Sequence, residues 1–98
     1  MTSYVPSPEA RRDILEIVVF IAADNGSAVL RVRDRLFEAF EKLSARPALG
    51  HARLDLTDKP VRFWTVASRC LVVYRADRAP VEIVRVLGPG RDVAATLS

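Results

Sequence analysis

The chain has 98 residues, half of them hydrophobic and only four glycine, which suits one domain over residues 1–98 and excludes a disordered or collagen-like polymer. At this length folding buries roughly 60 to 65 % of the surface that the unfolded chain exposes. Net charge is +3 with a pI near 9.6, and only Lys42 and Lys59 among the 15 basic residues are lysines, so a polyanionic partner, nucleic acid or acidic protein, is admissible.

Met1 to Glu9 lacks the basic start and apolar run of a secretory signal, and the longest apolar run, Ile17 to Ala23, is too short to span a bilayer. Tyr4-Val5-Pro6 reads as a short first strand or extended arm. Ser7-Pro8-Glu9-Ala10 is a helix start, with Ser7 as the N-cap, Pro8 at the first helical position and Glu9 in the first turn. The helix runs to about Asp24. Ala10, Ile14, Ile17, Val18 and Ile21 recur at helical spacing, whereas Arg11, Arg12, Asp13 and Glu16 are expected on the opposite face. Val19, Phe20 and Ala22 make its second half apolar nearly all round, so that half is either covered by its own domain or offered to a partner.

Asn25-Gly26-Ser27 ends this helix and is expected to cap a second, which continues through Leu30, Leu36, Phe37, Phe40 and Leu43 until Arg46-Pro47 stops it. The short turn makes the pair an antiparallel helical hairpin. Arg31, Arg33, Arg35 and Lys42 alternate with Asp34, Glu38 and Glu41, the pattern of a solvated face with intrahelical ion pairs.

Residues 47–60 have no period and read as a loop that carries His51 and Arg53. Three β-type runs follow, Val61 to Val66, Cys70 to Tyr74 and Val81 to Leu87, joined by Ala67-Ser68-Arg69 and by Ala76 to Pro80 in an antiparallel meander. Both faces of this sheet are apolar, so it needs two covers. The helical hairpin supplies one, and a bound partner or the C-terminal segment the other. The expected class is therefore α+β, in the order β-α-α-β-β-β with a final short helix.

Cys70 alone excludes an internal disulfide and a multi-cysteine zinc site, and it fits a reducing cytoplasm. The single His51 cannot build a His-Cys metal set, and there is no glycine-rich phosphate loop or nucleophile elbow; no cofactor or metal is expected. Arg62, Arg75 and Arg85 lie within strand runs and are candidates for one basic surface. Simple alternation puts Arg62 on a face with Trp64, and Arg85 on a face with Ile83, an arginine–aromatic mixture suited to RNA or to an acidic peptide.

Tyr4-x-Pro6-Ser7-Pro8-Glu9-Ala10-x-x-Asp13-Ile14-x-Glu16-Ile17, then Pro47-x-x-Gly50, Val72-Val73-Tyr74-Arg75 and Ile83-x-Arg85-Val86-Leu87-x-x-x-Arg91-Asp92 together resemble the ParE/RelE toxin superfamily, with the ParE branch closest. The resemblance covers nearly the whole chain. It implies the same layout, a helical hairpin packed on a small antiparallel sheet. It further implies the toxin of a type II toxin–antitoxin pair, cytoplasmic and without cofactor. Such a toxin is held inactive in a heterotetramer or larger complex by a ParD-like antitoxin of ribbon-helix-helix type from an adjacent gene, through which DNA contact is indirect. ParE-type toxins poison DNA gyrase by binding and have no catalytic site, whereas RelE-type toxins cut mRNA on the ribosome.

Residues expected to meet target or antitoxin are Phe20, Arg62, Trp64, Tyr74, Arg75, Arg85, Arg91 and Asp92. In the nuclease alternative Arg62, Arg85 and Arg91 would stabilise the scissile phosphate, with His51 as acid or base. Against that alternative, residues 91–98 contain no tyrosine and Ala67-Ser68 offer no basic residue. A third alternative is a non-toxic binding module on the same fold. Gly88-Pro89-Gly90 occupies the stretch where a histidine commonly follows the Val-Leu pair of the ParE pattern.

Overall fold

The computed structural model describes residues 4–66 and 70–97. Strand β1 (Tyr4–Pro6) leads into α1 (Pro8–Asp24) and α2 (Ala28–Ala45), followed by a 3-10 turn (Pro47–Leu49), strands β2 (Arg62–Val66), β3 (Cys70–Arg75) and β4 (Val81–Leu87), and the short α3 (Val93–Leu97). The link Ala67-Ser68-Arg69 lies outside the described residues.

Ser7 starts α1 as its sequence context demands. Its backbone is extended (φ −69°, ψ 163°) and its Oγ accepts from the Ala10 N–H at 2.9 Å. The same hydroxyl donates to the Val84 carbonyl at 2.7 Å, and the Ser7 N–H donates to the Ile83 carbonyl at 2.9 Å. One buried serine thus ends β1, begins α1 and fastens both to β4. Ser27 does not cap α2 as expected: its backbone is already helical and its side chain reaches no helix N–H. Asn25 organises the turn instead. Its Oδ1 accepts from the Ser27 N–H and hydroxyl at 3.2 and 2.7 Å, and its carbonyl accepts from the Ala28 N–H.

The sheet order is β1-β4-β3-β2. The meander β2-β3-β4 is antiparallel as expected, and β1 joins it parallel to β4, with Tyr4, Val5 and Pro6 beside Val81, Glu82 and Ile83. β4 carries one residue more than β3 across from it. Val73 faces Arg85 while Tyr74 faces Ile83, which leaves Val84 as a bulge.

Each sheet face has its own core. Under the helical hairpin, Cys70, Val72, Tyr74, Ile83 and Val86 pack against Val32, Leu36, Phe40 and Leu43, with Trp64 and Val66 at the margin. On the other face Phe63, Val73 and Leu87 are covered by Leu97 and Val93 of α3 and by Leu56 of the long loop. The second cover is therefore the chain's own C-terminal helix and loop.

Candidate functional site

α1 runs past the end of β1, and beyond that point the outer edge of β4 has no strand beside it. Asp13 fills the place. Its carboxylate accepts from Arg85 Nε and Nη2 at 2.7 and 2.9 Å and from the Val86 N–H at 3.0 Å. The Asp13 side chain is only 4 % exposed, so it does not belong to the solvent face of α1 as the sequence suggested. The hydrogen bond to Asp13 raises the Arg85 pKa above the usual guanidinium value, against the opposing effect of partial burial.

Next to this pair opens an apolar groove of about 420 Å³, lined by Ile17, Phe20 and Ile21 of α1, Val32 of α2, Cys70 and Val86 of the sheet, and Gly88-Pro89 beyond β4. Phe20 is 79 % exposed at its rim. Arg91 also lines the groove, with Nη1 3.9 Å from Glu16 Oε2, both exposed, a contact that adds little stability. Burial raises the Cys70 thiol pKa, so the sulfur in the groove wall is a protonated, apolar filler.

The remaining sites expected from sequence are dispersed. Arg62 lies on the hairpin-facing side, opposite Tyr74, and its Nη1 donates to the Gly50 carbonyl at 2.7 Å. Arg75, one residue along β3, points to the other face and pairs with Asp77 at 2.7 Å. The bulge at Val84 puts Arg85 out of phase with Ile83, because opposite residues share a face and Val73 and Tyr74 do not. Simple alternation therefore fails here, and the three strand arginines do not form one basic surface.

Tyr74, expected as a contact residue, is fully buried. Its hydroxyl donates to the Pro47 carbonyl and accepts from the Gly50 N–H, at 2.7 and 2.8 Å, and so holds the loop after α2 against the sheet. Burial raises its pKa, while the Gly50 hydrogen bond and the Arg62 charge pull the other way. Asp92 caps α3 by accepting from the Ala95 N–H at 3.1 Å. Trp64 is half-buried. With exposed His51, Arg53 and Thr65 it lines a shallow concavity of about 250 Å³ on the β2 side of the sheet. His51 pairs with Phe63 through the backbone, at 3.0 and 2.8 Å, and Arg53 pairs with Asp55. His51 and Arg91 therefore line different concavities.

Sequence reasoning found Phe20 and Arg91 of the groove but missed Asp13 and Gly50. The signal for Asp13 was present: it lies three residues after Ala10 and four before Ile17, within the apolar stripe, where a carboxylate implies a buried partner. Gly50 stood out in the sequence only as the end of the Pro47-x-x-Gly50 motif, which says nothing of its packing against Tyr74. Among the described residues no group of His, Cys, Asp and Glu is placed to hold a metal ion, and no helix is long and apolar enough to cross a membrane.

No curated protein sequence matches the chain. A solved structure described as the chromosomal ParDE TA system from P. aeruginosa contains a chain with the same fold, at TM-score 0.71 and 20% identity, covering 88% of this chain and 94% of that one. The family described as the ParE toxin of the type II toxin-antitoxin system parDE matches residues 4–93. A match over that length, on a β-α-α-β-β-β-α chain with this topology, places the protein in the ParE toxin family.

Proposed function

We infer that this protein is a toxin that inhibits DNA gyrase by stoichiometric binding, and that a ParD-like antitoxin neutralises it by seating its C-terminal segment in the groove beside α1. The observation that carries the non-catalytic reading is the engagement of two of the three arginines a nuclease would require, and the separation of the third from His51. Arg62 is bonded to the Gly50 carbonyl, Arg85 is held through Nε and Nη2 by Asp13, and His51 lies in another concavity from Arg91. A scissile phosphate needs several donors and an acid or base converging on one point. These residues do not converge. Gyrase enters as the target through membership of the ParE family.

The groove suits an antitoxin tail because it is apolar along its length, is edged by the exposed Phe20 ring, and has both an acidic and a basic group, Glu16 and Arg91, at its rim. Purified protein is expected to inhibit gyrase supercoiling in proportion to the amount added, with no transcript cleavage on translating ribosomes. Cleaved transcripts with unaffected supercoiling would move the assignment to the endoribonuclease, and loss of both activities to a binding module.

Phe20→Asp separates binding from folding, since the ring contributes little to the core. The variant is expected to melt near the wild-type temperature and to bind the antitoxin encoded beside it at least about 30-fold more weakly, the effect of losing an aromatic anchor. Titration calorimetry with the full-length pair measures this. Unchanged affinity would remove the antitoxin from the groove.

A further inference from the structure

Helix α2 divides its surface into strips of different chemistry. Val32, Leu36, Ala39, Phe40 and Leu43 form the buried stripe. To one side, Phe40 meets the Tyr4 ring of edge strand β1 at 5.3 Å and the Phe37 ring at 5.8 Å, and the exposed Leu30 and Phe37 belong to this flank. The opposite flank looks toward β2 and carries Arg31, Arg35 and Lys42, with Arg46 just past its end. Steps of four and seven residues keep Arg31, Arg35 and Lys42 on one strip of the helix, about 16 Å long at 1.5 Å per residue, and Arg46 follows as the C-cap.

All four are exposed, and among the described residues none of them has an ion-pair partner; the only ion pair found within α2 joins Arg33 to Asp34. The solvated face of intrahelical pairs expected from the sequence is thus largely unpaired on this flank. Glu38, between Arg35 and Lys42, belongs to the same strip and leaves three positive charges in excess.

We propose that this flank of α2 binds the phosphate backbone of duplex DNA directly and without sequence preference. A protein partner would need an apolar centre surrounded by polar groups. This flank has none, because the exposed apolar residues of α2 lie on its other side, whereas protein–DNA interfaces are polar and positively charged throughout. A line of unpaired cations also matches a partner whose charge is continuous, since duplex DNA presents one phosphate about every 1.7 Å of axis. An acidic peptide would have to order its carboxylates in matching steps. The proposal does not depend on the toxin's target.

Full-length protein titrated onto a labelled duplex of about 20 base pairs is expected to bind with a log–log salt slope of about −2.7, a roughly 40-fold weakening between 50 and 200 mM salt. Arg31→Gln/Arg35→Gln/Lys42→Gln/Arg46→Gln is expected to abolish binding while melting like the wild type. If that variant does not fold, Arg31→Gln/Lys42→Gln is expected to flatten the slope by about 1.8. Arg11→Gln/Arg12→Gln/Arg53→Gln/Arg78→Gln removes the same charge elsewhere and should retain most of the affinity. The proposal is overturned if wild-type protein does not bind at low salt, or if the two fourfold variants lose affinity equally, which makes net charge the cause. It is overturned equally if polyglutamate or single-stranded RNA binds more tightly than the duplex.

Discussion

Replacing Asp13 by alanine is expected to destabilise the fold by about 3–5 kcal/mol, the range for removing one member of a buried, hydrogen-bonded ion pair. The charge left behind explains the size. Arg85 is only 21 % exposed along its side chain, and without Asp13 its guanidinium has no anion at hydrogen-bond distance, while the Val86 N–H on the edge of β4 loses its acceptor. An orphaned buried donor alone costs about 1–3 kcal/mol. For a domain of this size the combined loss lowers the melting temperature by about 12 °C or more. Thermal unfolding followed by circular dichroism measures it. Asp13→Asn keeps one acceptor for the Val86 N–H and should lose less. A shift of only a degree or two for Asp13→Ala would mean that the carboxylate is not what joins α1 to β4.

The second large effect is expected at Gly50, where the reason is space. The backbone conformation (φ −76°) is open to any residue, but a Cβ there would lie 2.6 Å from the Tyr74 hydroxyl oxygen and 2.8 Å from both the Phe63 carbonyl oxygen and Tyr74 Cε1. The carbonyl cannot move freely because it accepts the His51 N–H, and Tyr74 cannot move because it is fully buried and bonded to the Pro47 carbonyl. Gly50→Ala must therefore displace the loop, giving up the Gly50–Tyr74 and Arg62–Gly50 hydrogen bonds. Overpacking together with these losses amounts to about 2–4 kcal/mol. Tyr74→Phe removes the nearest clash along with a buried hydroxyl. The double variant should accordingly be less destabilised than the two singles added together. Strict additivity would show that the methyl is accommodated elsewhere.

These two positions also define what the fold does for the site. Asp13 and Ser7 fix α1 to the edge of β4, and that position opens the groove between Phe20 and Val86. Gly50 and Tyr74 fix the loop after α2 against the sheet, and Arg62 is drawn into that junction. Two of the residues that an RNA-cutting site would free for a substrate, Arg62 and Arg85, are instead used to hold the chain together.

Much of the architecture was legible in the residues themselves. Ser7-Pro8, the turn at Asn25-Gly26 and the stop at Arg46-Pro47 place the ends of both long helices, because capping and proline sterics act within a few residues. The three apolar runs place β2, β3 and β4, and the quoted motifs point to the family. Only the tertiary structure decided the site. Asp13 looked like a surface acid because its partners Arg85 and Val86 are more than 70 residues away, and no local period reports a contact of that range. Tyr74 and Arg62 looked like contact residues because their hydrogen bonds run to a loop without periodicity. The bulge at Val84 defeated simple alternation for Arg85, since a single inserted residue reverses which face follows. Sequence alone therefore determined the elements and the family, through short-range stereochemistry and pattern. The packing of distant elements decided which charges are spent inside the fold and which remain for a partner.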